Sequence, residues 1–254
     1  MNNETFGITF QYAICVKYKL ENSISLERVD QNLLNNFLES KIINKIFRGK
    51  KPVQYLVDTK EFTSPFIKRC PHNFLLENNQ TFSVRTFKGS GKMFAPKVVG
   101  QAGDETFNHF FGHLSDEEIN KTNFKEFCIN NIDEMLPVIV DYALVSDFNC
   151  WIYLNEESFE YEIIKRGNLP ELTFNYKNFS FTKPTATEWV ESNTIKYKGK
   201  TVLELQLHTL KVHHHLNIKR HLELDNMYFL VLPQSLDRLW LLSFFVKCFE
   251  ILQY

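Results

Sequence analysis

Thr187-Glu-Trp-Val-Glu-Ser-Asn-Thr-Ile-Lys-Tyr-Lys-Gly-Lys-Thr-Val-Leu-Glu-Leu-Gln-Leu-His208 is the stretch on which the reading of this chain turns. From Thr201 onward it alternates. Leu203, Leu205 and Leu207 fall on one side of an extended strand, and Val202, Glu204, Gln206 and His208 on the other. Lys198-Gly199 can form a two-residue turn, so the segment is expected to fold back as a hairpin. With that turn, Asn193 is expected to face Glu204, and Glu191 to face Gln206. Four polar groups then gather on one side of a two-stranded ribbon. Directly opposed side chains lie roughly 5 Å apart at Cβ. Acids gathered this closely call for a positive charge between them, and Mg²⁺ accepts oxygen ligands of this kind. Such a metal activates water and neutralises developing charge in phosphodiester hydrolysis. An ordinary half-solvated hairpin shows the same alternation.

The rest of the chain sets the frame. It has 254 residues, 44% of them hydrophobic and 23% charged, which is ordinary globular usage and argues against disorder. With 9 glycines and 8 prolines, long flexible linkers are not expected. The 24 phenylalanines suffice for a sizeable core. A net charge of −1 excludes a generally basic nucleic-acid binder but not an enzyme with a local basic patch. Five cysteines without a C-x-x-C pair suggest neither a disulfide framework nor a zinc site, and fit a reducing, cytoplasmic setting. The opening MNNETFGITF reads as no secretory leader. The apolar stretch Leu239–Leu252 contains Lys247 and Glu250 and is too short to span a membrane, so a buried helix or strand is expected there.

Helical spacing predicts helices over 3–18, 26–47, 104–113 and 122–145, the last kinked or broken at Pro137. Phe82–Phe87 reads as a strand. After Asn149, residues 150–154, 159–165, 171–181, 187–197 and 201–208 all read as strands. The expectation is a single domain over 1–254, with a helical first half and a strand-rich second half. Its fold class is α+β or mixed α/β, a central mixed β-sheet flanked by helices.

Other clusters bear on chemistry. Arg85, Lys88, Lys92 and Lys97 fall within 13 residues that hold no Asp or Glu. With the neighbouring glycines they suit phosphate contact, and Gln101 suits an adenine edge; a solvated basic loop would look the same. His208, His213, His214 and His215 lack a Cys or acid at usual zinc spacing. With Lys211, Lys219 and Arg220 they read as a second DNA-facing basic stretch. Asp141 is a reserve acid. Cys70 and Cys128 show no paired histidine in the manner of a nucleophile.

The hairpin pattern Trp189-x-Glu191-Ser-x-Thr194-x-Lys196-Tyr197, followed by Glu204-x-Gln206-x-His208, resembles a variant of the PD-(D/E)XK nuclease core in which E-x-Q replaces E-x-K. It is similar to a group of type II restriction endonucleases. Ser83–Gln101 resembles their "R-T-N … K … P-x-x-x-G-Q" segment, and Gly7-x-x-Phe10-Gln11 their first-helix feature. The resemblance implies Mg²⁺-dependent hydrolysis of double-stranded DNA at a short sequence, by a bacterial cytoplasmic enzyme, often a homodimer on a palindromic site. It also implies a cognate DNA methyltransferase in the same system. Residue by residue, Glu191 stands for the first metal-binding acid, Glu204 for the second, and Gln206 for the lysine. Arg85, Lys88, Lys92, Lys97, Gln101, Asn193 and His208 are the expected DNA contacts. The first acid is Glu rather than Asp, no proline precedes it, and Thr209–Arg220 departs from the basic and aromatic run expected after the E-x-Q strand. A non-catalytic DNA-binding or protein-interaction module on a nuclease-like sheet is the alternative. A metal-independent DNA repair or glycosylase enzyme is a third.

Overall fold

The computed structural model describes residues 3–88, 104–117, 119, 122–155, 158–169, 172–190, 192–207 and 227–230. Six α-helices and nine strands are described: α1 (Asn3–Tyr18), α2 (Gln31–Glu39), α3 (Ile42–Ile46), α4 (Asp104–Phe111), α5 (Phe124–Asn130) and α6 (Ile132–Ala143), with β1 (Pro52–Tyr55), β2 (Phe74–Leu76), β3 (Thr81–Lys88), β4 (Phe148–Asn155), β5 (Ser158–Lys165), β6 (Phe179–Phe181), β7 (Ser192–Tyr197), β8 (Lys200–Leu207) and β9 (Met227–Leu230). The fold class is α+β, as expected, with a mixed sheet flanked by helices. The chain forms two compact units, Met1–Lys92 with Leu144–Leu169, and Met93–Ala143 with Pro170–Tyr254. No composition shift in the sequence marks that division.

The first unit is built on a five-stranded sheet of order β1-β2-β3-β4-β5. Only β3 and β4 run parallel, from Phe82 opposite Phe148 to Lys88 opposite Leu154; the other pairs are antiparallel. Alternation sends Phe82 and Val84 toward a core shared with Phe6, Phe10 and Ile14 of α1. Phe37 of α2 closes that core, edge-on to Phe10 at 4.7 Å and stacked on Phe6 at 5.7 Å between ring centroids.

The Gly7-x-x-Phe10-Gln11 feature has a packing role here. A Cβ at Gly7 would come within 2.9 Å of Thr86 Oγ1, so glycine lets α1 lie close on β3. Phe10 is fully buried. Gln11 Oε1 accepts from the Tyr55 hydroxyl at 3.1 Å and from Asn73 Nδ2 at 3.0 Å, tying helix to sheet.

The helix expected over 26–47 is broken. Asp30 caps α2 by accepting from the Leu33 N–H at 3.0 Å, and Ser40 leaves the helix in an extended conformation. The helix expected over 122–145 breaks at Asn131, not at Pro137, which sits inside α6. The Phe127 carbonyl accepts both from the Asn131 N–H at 3.0 Å and from Asn131 Nδ2 at 2.9 Å, so Asn131 closes the last turn of α5 twice over.

The second unit holds α4–α6 and a four-stranded antiparallel sheet of order β6-β7-β8-β9. Phe107 gathers Phe111, Phe124 and Phe127 at 4.9, 5.0 and 5.8 Å. The strand expected over 171–181 is reduced to β6, preceded by a 3₁₀ turn at Tyr176–Asn178. Trp189, read as part of a strand, lies between a turn at 186–188 and β7, its N–H donating to the Thr185 carbonyl at 3.2 Å. It is fully buried, 6.3 Å from Phe124, and its carbonyl accepts from Lys125 Nζ.

Candidate functional site

The hairpin forms between β7 and β8, and its turn is the expected Lys198-Gly199. Both residues have positive φ, 48° and 79°, as a two-residue turn with matching twist requires. Beside it, Tyr197 pairs with Lys200 and Lys196 with Thr201. The register then shifts. Ile195 pairs with Leu203, leaving Val202 as the extra residue of a bulge. Val202 and Leu203 are both buried, so the bulge places two consecutive apolar side chains out of water.

That one-residue shift corrects the expected pairing. Thr194, not Asn193, lies opposite Glu204, and Ser192, not Glu191, lies opposite Gln206. Asn193 moves to the face of Leu203 and Leu205 and is only 1% exposed. Its Oδ1 accepts from the Lys183 N–H at 3.0 Å and the Thr182 hydroxyl at 3.2 Å, and its Nδ2 donates to the Lys183 carbonyl at 2.8 Å. Asn193 therefore anchors the chain after β6 and does not stand beside Glu204.

The opposite face is polar. Glu204 is half-buried there, with Thr194, Ser192 and Lys196 of β7, also half-buried, on the same side. Ser180 of β6 pairs with Lys196 and continues the row. Gln206 follows Glu204 by one strand repeat, and Leu230 and Tyr228 of β9 take the register positions beside Glu204 and Gln206. Ser192, Thr194 and Lys196 enter the sequence reading only as part of the resemblance pattern, and none of them was expected as a site residue. The adjacent apolar pair Val202-Leu203, which interrupts the alternation, was the signal that could have found them.

The remaining expected residues are distributed as follows. Glu191, Lys92, Lys97, Gln101 and His208 lie outside the described residues, as do the other histidines of 213–215 and the stretch Leu239–Leu252. Arg85 and Lys88 lie on β3 of the first unit, opposite Trp151 and Leu154. Arg85 is half-buried, and desolvation lowers its guanidinium to about 10. Asp141 is exposed on α6. Cys128 is buried, which pushes its thiol well up and away from nucleophilic use.

Among the described residues no three His, Cys, Asp or Glu side chains gather as a metal site would need, and none of the described helices is long and apolar enough to cross a membrane. The donors around Glu204 are a carboxylate and hydroxyls, the hard oxygen chemistry that suits Mg²⁺. Comparison of the chain with family models, with curated proteins and with solved structures finds no match.

Proposed function

We propose that the chain is a Mg²⁺-dependent endonuclease of the type II restriction class, acting on double-stranded DNA, often as a homodimer and alongside a cognate DNA methyltransferase. The observation that carries this reading is the placement of Glu204. It is a half-buried carboxylate on the polar face of a bulged hairpin, one strand repeat from Gln206. Bulges are over-represented next to active sites, where they re-aim side chains.

In this reading Glu204 is the cation ligand on the hairpin; Glu191, the other acid that the resemblance implies, lies outside the described residues, immediately before β7. When bound, the cation supplies charge neutralisation at the scissile phosphate and an acidified water. The chain's own residues do the positioning. Gln206 orients the water or a phosphate oxygen by hydrogen bonding, and Lys196, on the Glu204 face, adds a positive charge toward a phosphate. The basic run Arg85, Lys88, Lys92 and Lys97 supplies backbone contacts that fix register without reading sequence.

The non-catalytic alternative is favoured by one fact: among the described strands of this sheet, Glu204 is the sole acid. Incubating the full chain with mixed-sequence DNA decides between the two. The endonuclease reading expects discrete fragments with Mg²⁺ and none with EDTA. DNA binding that ignores Mg²⁺ and yields no fragments would replace it with the alternative.

A further inference from the structure

Between β1 and β2 the chain runs through residues 56–73 without a strand or helix, yet it is closely tied by hydrogen bonds. Thr59 donates from its N–H and its hydroxyl to the Leu56 carbonyl, and Thr63 does the same to Lys60. Ser64 and Ile67 exchange backbone hydrogen bonds at 3.1 Å, and Ser64 Oγ accepts from the N–H groups of Phe66 and Ile67. Asp58 accepts from the Ser23 N–H at 3.2 Å. The loop is thus a series of turns held in one shape.

At its centre, Phe62 has a φ of 60°. A bulky side chain in the left-handed region is a real outlier, and such strain collects where a surface does something. The ring is not there to fill the core, since Phe62 is 46% exposed and Phe66 36%. One edge of Phe62 rests against buried His72, 4.8 Å away, and His72 Nδ1 lies 2.8 Å from Ser146 Oγ. The base of the ring is therefore fixed while its remaining surface faces water. Along the chain, exposed Lys60 precedes Phe62 and Phe66, exposed Lys68 and Arg69 follow them, and exposed Asp58 and Glu61 lie in the same loop.

We infer that the loop 57–69 is a second contact surface for duplex DNA, in which Phe62 and Phe66 lie against bases or sugars while Lys60, Lys68 and Arg69 meet phosphates. Aromatic rings recognise the flat or apolar parts of nucleotides and cations their backbone. The loop's turns hold this arrangement before binding, which lowers the ordering cost. The inference rests on the DNA-directed reading above and names a surface that reading does not use.

The test uses the full chain, a labelled mixed-sequence duplex and EDTA, with affinity followed across a range of salt. Phe62→Gly removes the ring and suits the positive φ, so a purely structural role predicts no loss of binding. The inference expects affinity to fall on the order of tenfold in a protein that still unfolds in one cooperative transition. A second variant, Lys60→Gln with Lys68→Gln and Arg69→Gln, is expected to flatten the slope of log affinity against log salt by about 2 to 3. If the parent binds and both variants bind as it does, the loop surface is refuted while the endonuclease reading stands. A parent that binds no duplex at all overturns both. Loss confined to a single strand of the same sequence overturns the assignment to duplex.

Discussion

Asn193 shows how one side chain can reassign a strand. It reads as a polar group offered to solvent, and in the fold it is a buried clamp whose amide is used at both ends. Replacing it with alanine strands the Lys183 N–H and carbonyl. Asn193→Ala is expected to cost about 1–3 kcal/mol in urea unfolding with an unchanged m-value.

Asp147 carries a pH dependence. Burial raises its carboxyl, but hydrogen bonds from the Thr81 N–H and hydroxyl, at 2.7 and 2.8 Å, outweigh that and hold it below its ordinary value. The carboxyl titrates lower in the folded chain than in the unfolded one. Its contribution is therefore present above the unfolded value and lost as pH falls through the folded one. Because Asp147 is exposed, the contribution is discounted to on the order of 1 kcal/mol. Asp147→Asn is expected to be less stable than the parent at neutral pH by that amount, with the gap closing below about pH 4. A gap that is the same at both ends of a pH series of denaturant midpoints would contradict this.

At the scale of elements, the β7–β8 turn is the sharpest handle. Gly199 has φ 79° and open space around its missing Cβ, so Gly199→Ala pays only the conformational cost, about 1 kcal/mol. Lys198 also sits at positive φ, and Lys198→Asn is expected to gain a few tenths to about 1 kcal/mol. Thermal midpoints moving in opposite directions for the two variants check both claims. The turn and the strands of this hairpin were legible because alternation and a two-residue connection are local signals. The bulge was not, because its cause lies in the buried surroundings of Val202 and Leu203. A single extra residue then changed which side chains meet. The same distinction holds for helices. The helix over 3–18 follows from the spacing of Phe6, Phe10, Ala13 and Ile14, all buried in the fold. The break before α3 depended on the cap at Asp30 and the exit at Ser40, which the apolar spacing alone does not announce.

At the scale of the whole molecule, the parallel pair β3–β4 explains the chain's organisation. Parallel neighbours need a long connection, and here it runs through residues 89–147, most of which belong to the second unit. The sequence shows helices and then strands in order, from which the α+β class follows. It carries no local mark of a chain that leaves one unit, builds part of another and returns. The short strands β1 and β2 were likewise missed, since their Pro52–Tyr55 and Phe74–Leu76 segments are too brief to show a period. Of the candidate site, the hairpin and its turn were legible; that Ser192, Thr194 and Lys196 share the face of Glu204 was not, because the bulge sets it.

The assignment of Glu204 to a metal-dependent cutting site is decided by comparing two proteins. Parent and Glu204→Gln proteins, matched for folded content, are incubated with mixed-sequence DNA and Mg²⁺, and fragments are counted alongside DNA affinity. The variant is expected to bind DNA as the parent does and to cut at least about a hundredfold more slowly, the scale expected when an electrostatic group of a reaction site is removed. A variant that cuts at the parental rate would contradict it.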